Sequence, residues 1–363
     1  MSELAPPDEA PSVSAVVINY NGGDRTIRCL EALTRQTVPP ERIVVVDNGS
    51  EDGSPACIRN RFSQVEVIEL GENRGLPAAR NVGLGAVPSA SVLLADSDVY
   101  LEPDALERLL SAQAETGATV VCPRIRLIPE REVVQADGAA PHFVGTMELR
   151  HGYRLVDEVP AERASVRGCI GACYLLDRQR VIDAGGFDEV YFFYFEDLEF
   201  MLRLAAHGHD FVCEPMALVF HDRGEGTSGL SFRGTGTYPL RRAYLSMRHR
   251  WLTILIHYRL RTLLLLLPAL GLYELAVVAF AVSRGHGLQW LRAWSWQVLN
   301  VRTIARRRRI AQRSRVRRDR EILVGGPLPL APGVIRAPGV GAAVSALSAV
   351  LNAYWGLARH AIG

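Results

Sequence analysis

Short runs of apolar, β-branched residues alternate with segments of helical periodicity in the first part of the chain. The apolar runs are residues 13–18, 42–47, 65–70 and 91–96. After the first run, Ile27, Leu30 and Leu33 recur at the spacing of a helix. Strands that are apolar on both faces and alternate with helices are typical of a parallel sheet covered on both sides. The pattern therefore predicts an α/β fold, with a mostly parallel sheet flanked by helices.

The predicted strands end in polar loops, most of which are rich in glycine. Three of these loops read NYNGGDRT, NGSEDGS and GENRGLPAARN. In open α/β sheets, ligands bind at the carboxyl ends of the strands. We therefore expect these loops to form a wall of the binding site.

The second part of the predicted sheet has less regular spacing. VVCPRI, GCIGACYLLDR and FVCEPMALVFH predict strands, and EDLEFMLRLAAHGH predicts an amphipathic helix. Residues 129–166 are either a long loop region or short edge strands. We expect the α/β domain to span residues 13–235, after a disordered, acidic and proline-rich lead-in of residues 1–12.

The remaining residues, 236–363, are predicted to form a helical region that is both basic and apolar. Within it, residues 263–282 carry a single charge, Glu274, and Pro268 lies near their start. Twenty residues would just span a membrane, but the proline and the glutamate also fit an interfacial helix pair or a buried helix that caps the α/β domain. All three interpretations stay open at this point.

An aromatic and a basic segment follow the apolar one. Trp290, Trp294 and Trp296 precede residues 300–320, which hold ten arginines and one aspartate, a local net charge of +9. Because the whole chain has a net charge of +2, the rest of it carries −7. This asymmetry argues against nucleic-acid binding and favours contact with anionic lipid headgroups. We expect residues 236–363 to associate with the cytoplasmic face of the cell membrane, peripherally or through a single span.

Composition narrows the class of protein further. With 363 residues, 48% of them hydrophobic and 22% charged, the chain is neither disordered nor collagen-like. Its six cysteines lack CxxC spacing, which argues against a zinc ribbon or a thioredoxin-like site, and we expect them to be reduced core residues. The first residues, MSELAPPDEAPS, lack the apolar segment of a secretory signal, so we expect a cytoplasmic catalytic domain.

Paired carboxylates follow the fourth predicted strand. LLADSDVYL places Asp96 and Asp98 two positions apart, so both side chains leave the strand end on the same side and can face one cation. Carboxylate oxygens suit Mg²⁺ or Mn²⁺, which bridge phosphates. Such pairs also occur in turns and helix N-caps, so the choice between a cation site and a structural role depends on the surrounding residues.

Two other loops contribute polar side chains. Asp47 precedes NGSEDGS, whose small residues would let a base or ribose approach closely; a turn with Asp47 as a helix cap is the alternative. Arg80 and Asn81 follow the third loop, where a guanidinium would meet a diphosphate unless it is an ordinary surface arginine.

Acidic residues also follow an aromatic run. In YFFYFEDLEF, Glu196 and Asp197 come after five aromatic residues and open a helix. They are either caps of that helix or a general base whose proton affinity is raised by apolar surroundings. His221 ends the last predicted strand, where a neutral imidazole would complete the ligand set of the cation.

Eight pieces of the chain, in order and spacing, resemble the family 2 glycosyltransferases with the GT-A fold, and their rhamnosyltransferase-like branch in particular. The pieces, all within residues 13–222, are VVINYNG, VVVDNGSEDGS, NRGLPAARNVGL, DSD, GCIGACYLLDR, GGFDE, FEDLEF and VFH. The resemblance implies an inverting transfer of a sugar from a nucleotide-diphosphate donor to a hydroxyl of a glycan or lipid-linked acceptor. It also implies a divalent metal, Mn²⁺ or Mg²⁺.

The resemblance assigns roles to the donor side of the site. The expected donor-binding residues are Asn19, Tyr20, Asp47, Asn48, Arg80 and Asp96. Among them, Asp47 resembles the acid that contacts the nucleotide base, and Asp96 the acid on the ribose or metal side. Asp98 and His221 resemble the metal ligands of the family.

The acceptor side is assigned in the same way. The expected acceptor-binding residues are Gly171, Ala172, Cys173 and Glu196. Asp197 resembles the general base of the family. The family commonly reads E-D-x-D, whereas this chain has Glu199 at the last position. We expect the extra methylene to alter an acceptor contact while leaving the base in place.

Two other functions stay open on the sequence. A nucleotidyltransferase that makes the sugar nucleotide also uses carboxylates and Mg²⁺, but NYNGGDRT differs from the Arg- or Lys-bearing triphosphate loop expected there. A membrane-tethered binding module without catalysis is the other alternative, against which the presence of Asp98, Asp197 and His221 argues. A rhamnosyl donor follows only from the branch that the chain resembles.

Overall fold

The computed structural model describes residues 12–223, 238–330 and 340–362. The strands, numbered along the chain, are β1 (Val13–Asn19), β2 (Arg42–Asp47), β3 (Val65–Glu69), β4 (Ser91–Asp96), β5 (Val99–Leu101), β6 (Val120–Leu127), β7 (Val134–Ala136), β8 (Ala139–His142), β9 (Thr146–Leu149), β10 (Ala164–Val166), β11 (Cys173–Asp177) and β12 (Phe211–His221). All of them except the β8–β9 hairpin form one mixed sheet.

Helices flank this sheet and form the C-terminal region. They are α1 (Asp24–Thr34), α2 (Ser54–Arg61), α3 (Leu76–Ala86), α4 (Ala105–Thr116), α5 (Arg178–Asp183), α6 (Glu196–Ala206), α7 (Leu240–His257), α8 (Leu260–Ser283), α9 (Gly287–Leu299), α10 (Val301–Arg313), α11 (Asp319–Ile322) and α12 (Val340–Ala358). The expected boundary at residue 235 and all but the last residue of the expected lead-in lie outside the described residues.

The first four strands form the parallel part of the sheet, in the order β4–β1–β2–β3. Their register places Asn19 beside Asp47 and Ile18 beside Asp96. Polar residues that are far apart in sequence therefore meet at one edge, because parallel strands end on the same side. The predicted α/β architecture is confirmed.

The other half of the sheet is mixed. Strand β11 runs antiparallel to its neighbours β4 and β6, and β12 runs parallel to β6. Residues 129–166 contain the short strands β7 to β10, which confirms the second of the two interpretations of this stretch. Because β12 pairs with the short strand β5 just after β4, its last residue, His221, lies opposite Val99.

The sheet is covered on both faces, as its uninterrupted apolar strands require. Val16 and Val44 pack into the core on one face, and their neighbours Val17 and Val45 pack into the core on the other. Five of the six cysteines are buried and all are free, but Cys57 is exposed on α2, so the expectation of a core position is wrong for that residue.

Glu274 is the polar centre of the packed helices α7, α8 and α9. Its carboxylate accepts hydrogen bonds from Arg250 Nη1 (2.6 Å) and Trp251 Nε1 (2.8 Å) on α7. Two more come from Trp290 Nε1 (2.6 Å) and Trp294 Nε1 (3.1 Å) on α9. A buried carboxylate needs such donors because it has lost its water. Two of the tryptophans expected beside a membrane surface therefore direct their N–H groups into the protein.

Helix α8 packs with one face and leaves the other exposed. Leu266 and Leu270 are buried, whereas Leu264, Leu267 and Leu275 are each at least 60% exposed. The buried face joins the core, as expected of a helix that caps the domain, whereas the exposed leucines are not covered by any described residue. Both α8 and residues 341–358 of α12 are long and apolar enough to cross a membrane.

The arginine-rich segment divides into structural and exposed side chains. Arg307 pairs with Asp188, Arg315 with Asp319 and Arg317 with Asp210. Arginines of this segment that are exposed and form no ion pair with any described residue are Arg302, Arg306, Arg309, Arg313, Arg318 and Arg320. Part of the positive charge therefore serves packing, and the rest stays available at the surface.

Helix α7 supports the aromatic loop, which we define as residues 191–195. His249 Nδ1 contacts the carbonyl oxygen of Tyr194 at 2.8 Å, and Thr253 Oγ1 donates to Tyr191 Oη at 3.0 Å. Phe192, Tyr194 and Phe195 have positive φ, which is uncommon for aromatic residues. On its other side, the loop accepts a hydrogen bond from the backbone N–H of Leu76 to the carbonyl oxygen of Phe192 (2.8 Å). The C-terminal region thus holds the loop that leads into α6.

Gly75 leaves the space that the aromatic loop occupies. A Cβ atom at Gly75 would lie 2.7 Å from the carbonyl oxygen of Phe192, whereas one at Gly71 would meet nothing within 4 Å. Both glycines have left-handed φ, 89° and 76°, so alanine adds about 1–2 kcal/mol of backbone strain at either. We expect Gly75→Ala to lower the free energy of unfolding by about 1–3 kcal/mol more than Gly71→Ala, since only Gly75→Ala also overpacks. Urea denaturation of both variants measures this difference, and equal losses would contradict the contact.

Candidate active site

A buried hydrogen-bond network closes the ends of β1 and β2. Asn19 Nδ2 donates to Asp47 Oδ1 at 2.6 Å, and the backbone N–H of Ser50 donates to Asp47 Oδ2 at 2.9 Å. Ser50 Oγ also donates to Asp47 Oδ1 at 2.5 Å. Asp47 is only 1% exposed, whereas Tyr20 beside it is partly exposed. The network holds the loop after β2 in a turn, so Asp47 has the turn-forming role that was one of its two interpretations.

Asn48 joins this loop to the next one along the sheet. Its Nδ2 donates to Asn73 Oδ1 (3.1 Å), and its Oδ1 accepts from the backbone N–H of Arg74 (2.9 Å). Gly49 has φ of 81°, and a Cβ there would lie 2.6 Å from the backbone carbon of Glu72. The close approach of the two loops therefore requires glycine at this position.

Arg80 connects the acids at the end of β4 with those at the start of α6. Its Nη2 donates to Asp96 Oδ1 (3.2 Å) and to the carbonyl oxygen of Gly171 (2.6 Å), and its Nη1 lies 4.0 Å from Glu196 Oε1. The backbone N–H of Gly171 in turn donates to Asp197 Oδ2 at 3.3 Å. The predicted donor-side and acceptor-side acids thus lie around one guanidinium.

The position of Arg80 differs from the exposed phosphate-binding side chain that the sequence suggested. The side chain is 1% exposed and lies beneath the carboxylates, with Nη1 unpaired among the described residues. A Cβ at Gly171 would lie 2.8 Å from Nη2. Glycine at this position therefore leaves room for the guanidinium, which contacts protein groups at the floor of the site.

Burial shifts the protonation of the acids around Arg80. It raises the pKa of Asp96 to about 6, even though Arg80 opposes the shift. Burial, together with the charge of Asp197, raises the pKa of Glu196 to about 8. The pKa of Asp197 is also raised by burial, in spite of hydrogen bonds from Leu198 and Gly171. At neutral pH, Glu196 is therefore mostly protonated and has a proton to donate.

Asp98 and His221 face each other at the ends of β4 and β12. Asp98 Oδ1 lies 3.4 Å from His221 Nε2. Although burial alone would raise it, the imidazole holds the pKa of Asp98 below its usual value. The other ring nitrogen, Nδ1, is 2.8 Å from Gln135 Oε1. Because an amide oxygen accepts, this contact places a proton on Nδ1, so Nε2 is the ring nitrogen that can bind a cation.

This pair of side chains fits a divalent cation. One carboxylate oxygen and one neutral imidazole nitrogen suit Mn²⁺, and a carboxylate also suits Mg²⁺. In the part of the chain that the structure describes, no group of three or more His, Cys, Asp or Glu side chains is clustered for metal binding. Magnesium is commonly held by one or two carboxylates together with phosphate oxygens of a substrate, so two protein ligands are compatible with such a site.

Other predicted residues lie in the interior. Cys173 is fully buried within β11, so its side chain does not reach the surface of the site. The carbonyl oxygen of Ala172 accepts a hydrogen bond from the backbone N–H of Asp96 (2.9 Å). Glu199 points away from the acceptor side: its Oε1 pairs with Arg203 Nε at 2.7 Å and His257 Nε2 at 3.1 Å. The expected acceptor contact of Glu199 is therefore wrong, because both partners of this carboxylate lie inside the protein.

Some residues of the site were missed in the sequence. Ser50 had a readable signal, since a hydroxyl three positions after an aspartate commonly closes a turn. Gln135 had no such signal, because it lies within residues 129–166, for which the sequence pattern left two interpretations open. His257 pairs with Glu199 across helices distant in sequence, so no local pattern indicates it.

Comparison with known proteins agrees with this geometry. The family model described as glycosyl transferase family 2 matches residues 14–176. Over 236 residues the chain is 30% identical to the N-acetylglucosaminyl-diphospho-decaprenol L-rhamnosyltransferase of Mycobacterium tuberculosis, covering 58% of this chain and 76% of that protein. It is also 30% identical over 281 residues to the pre-mycofactocin glycosyltransferase of the same organism, covering 73% of this chain and 56% of that one.

The fold has a counterpart among solved structures. The crystal structure of GalNAc-T7 with UDP, GalNAc and Mn²⁺ superposes with a TM-score of 0.58 at 14% identity, covering 80% of this chain and 58% of that chain. At this identity the likeness concerns the fold alone, which is of the GT-A type. The sequence matches carry the assignment of the family: the chain belongs to glycosyltransferase family 2 and is a glycosyltransferase.

Proposed function

We propose that the protein transfers a sugar, with inversion, from a nucleotide-diphosphate donor to a hydroxyl of a lipid-linked glycan acceptor. The observation that carries this proposal is the continuous path from Asp197 through Gly171 and Arg80 to Asp96. It brings a carboxylate with raised proton affinity next to the carboxyl ends of the parallel strands, where nucleotides bind in α/β sheets.

Asp197 is the proposed general base. In a single displacement, the acceptor hydroxyl oxygen attacks the anomeric carbon, its proton passes to Asp197, and the bond to the diphosphate breaks as the nucleoside diphosphate leaves. One base suffices for this reaction, so neither a covalent nucleophile nor a second flanking carboxylate is needed. Protonated Glu196, which is buried beside Asp197, would donate a hydrogen bond to the acceptor.

Donor binding is proposed for the carboxyl edge of β1, β2 and β4. Asn19, Asp47 and Asn48 shape the pocket for the base and ribose, with Tyr20 at its exposed side. Arg80 contributes by positioning Asp96 and the backbone of Gly171 rather than by an exposed contact with the diphosphate.

A divalent cation is proposed at Asp98 and His221. When bound there, Mn²⁺ or Mg²⁺ would neutralise charge on the leaving diphosphate. The crystal structure of GalNAc-T7, which shares the fold, is of that protein with UDP and Mn²⁺, and this supports a similar requirement here. Gln135 fixes the ring of His221 and so keeps its lone pair directed at the ion.

The lipid-linked acceptor is proposed from two independent observations. The name of the mycobacterial rhamnosyltransferase gives a diphospho-decaprenol acceptor for that protein. In this chain, the exposed leucines of α8 lie on the same helical region as unpaired arginines of α10. A helical region that exposes both apolar and basic side chains suits the surface of an anionic membrane, where such an acceptor resides.

The Asp197→Asn variant tests the base. Asparagine is nearly isosteric but accepts no proton, so we expect kcat to fall by about 10² to 10⁴ while the affinity for the donor stays close to that of the wild type. Because burial raises the pKa of Asp197, the acid limb of the wild-type kcat/KM profile should have its midpoint above the ordinary value of 3.8. Initial rates of transfer measured between pH 4 and pH 10 report both quantities.

Glu196→Gln is the companion variant, because glutamine keeps a donor group but does not titrate. If protonated Glu196 is needed, wild-type activity should decline as pH rises through about 8, where the carboxyl loses its proton, and the variant should lack this decline. For the Asp197→Asn variant, the contradicting outcome is a kcat that stays above one tenth of the wild-type value when chemistry is rate-limiting. Such a result would exclude Asp197 as the base.

The metal requirement is tested on Gln135. With a nucleotide sugar selected by screening for donor hydrolysis, excess chelator should abolish turnover. Gln135→Leu should raise the Mn²⁺ concentration for half-maximal activity by about 10- to 100-fold, because the imidazole is no longer oriented. Gln179→Leu, at an exposed position on α5, is the matched control and should leave this concentration unchanged. Full activity of the wild type in chelator would contradict the metal site.

Membrane association is tested on the exposed face of α8. Replacing Leu264, Leu267 and Leu275 together by serine removes three apolar side chains that would insert into lipid, each worth about 1.5–3 kcal/mol. We expect at least a tenfold loss of flotation with vesicles of phosphatidylcholine and phosphatidylglycerol. A triple serine variant of exposed apolar residues in the α/β domain, at Leu155, Ile182 and Met216, should float like the wild type. Equal flotation of all three proteins would show that α8 is not the contact.

A further inference from the structure

A cavity of about 360 Å³ lies between the beginning of α7 and α9. Its lining residues are Leu240, Arg241, Tyr244, Gln289 and Arg292. Two guanidinium groups, a phenol and a carboxamide therefore share a volume within the range of small-molecule sites. The residues belong to helices of the C-terminal region, outside the proposed donor pocket.

The positive charge of this cavity is not balanced by the protein groups that the structure describes. On the same helices, Arg250 is neutralised by Glu274, and on α10 Arg307 is neutralised by Asp188. Arg241 and Arg292, by contrast, form no ion pair with any described residue. Guanidinium groups bind phosphate oxygens through paired hydrogen bonds, so the expected occupant is a phosphate or diphosphate group.

Exposed leucines line the cavity or adjoin its lining residues in sequence. Leu240 at its rim is 55% exposed, and Leu288 and Leu291, which flank the lining residues of α9 in sequence, are 57% and 54% exposed. A free inorganic anion would gain nothing from these leucines. A molecule with a phosphate group and a hydrocarbon chain would contact both the arginines and the exposed leucines.

The cavity is in contact with the aromatic loop, which leads into the helix of the proposed base. Arg241 lies over the ring of Phe192, with 4.6 Å between the guanidinium carbon and the ring centroid. Phe192 belongs to the aromatic loop that leads into α6, where Asp197 lies in the first turn. The cavity therefore adjoins the acceptor side, whereas the proposed ligands of the cation, Asp98 and His221, lie at strand ends.

We infer that this cavity binds the phosphate or diphosphate group of an isoprenoid-type lipid-linked acceptor. Arg241 and Arg292 hold the phosphate oxygens, the hydrocarbon chain leaves along Leu240, Leu288 and Leu291, and the sugar extends past Phe192 towards Asp197. This inference rests on the proposed function, to which it adds the location of the acceptor's charged group. It requires two separate diphosphate sites, one for the donor and one for the acceptor.

The test measures binding of farnesyl diphosphate to the full chain by calorimetry, in nonionic detergent with excess chelator. Chelator prevents a metal-bridged contact at Asp98, so the arginine cavity is measured alone. Farnesol, without phosphate, and inorganic diphosphate, without a chain, are the two comparison ligands. We expect the wild type to bind farnesyl diphosphate at least tenfold more tightly than either.

Arg241→Gln and Arg292→Gln should each weaken binding of farnesyl diphosphate at least fivefold. Arg292→Gln is the decisive variant, because it leaves the contact of Arg241 with Phe192 in place. The control is a double variant, Arg35→Gln with Arg359→Gln, which removes two exposed arginines that form no ion pair with any described residue. It should bind farnesyl diphosphate within twofold of the wild type.

Three results would overturn the inference. Unchanged binding in both cavity variants would show that the ligand lies elsewhere, and equal affinity for inorganic diphosphate would show a simple anion site. Equal weakening in the control would show only bulk electrostatic attraction. The proposed function fails by a different result, the absence of metal-dependent hydrolysis of any nucleotide sugar by the wild type, which does not depend on this binding measurement.

Discussion

One buried guanidinium holds the acidic residues of the site together. Arg80 lies among the carboxyl groups of Asp96, Glu196 and Asp197, whose ionised forms would otherwise repel one another at short range. Its hydrogen bonds to Asp96 and to the carbonyl oxygen of Gly171 join β4 to the segment before β11. The backbone N–H of Gly171 extends this connection to Asp197 in the first turn of α6. Removing one partner of a buried ion pair typically costs about 3–5 kcal/mol, because the other charge stays buried without compensation. The relative position of the proposed base and the donor-side acids therefore depends on this one side chain.

Helix α7, in the helical region after the α/β domain, packs against the elements that carry the proposed acceptor-side residues. His257 of α7 pairs with Glu199 of α6, within the first turn of that helix. Burial would raise the pKa of Glu199, but Arg203 and His257 lower it to about 2, so this carboxylate stays ionised and keeps its ion pair with Arg203 at neutral pH. Together with the contact of His249 to the aromatic loop, this pair makes α7 a support of α6 as well as a connection to the apolar helices. The proposed membrane contact and the proposed catalytic residues are thus joined through one helix.

The environment of Glu274 shows why a charged residue within an apolar segment is hard to interpret from the sequence alone. In the sequence, a glutamate within an apolar segment weakens the case for a membrane helix. In the structure, its carboxylate is buried against Arg250 and three tryptophan N–H groups, while Leu264 and Leu275 of the same helix are exposed. The charge and the apolar surface coexist because a helix separates them onto different faces.

The sequence by itself determined the α/β fold, the strands that end in Asn19, Asp47 and Asp96, and the family. These features depend on local periodicity and on motifs, which are properties of neighbouring residues. The tertiary structure alone decided that Arg80 lies beneath the carboxylates instead of at the surface, that Glu199 faces His257, and that Gln135 orients His221. Each of these contacts joins residues far apart in the chain, and burial and pairing between distant segments depend on how the whole chain packs, which no local pattern records.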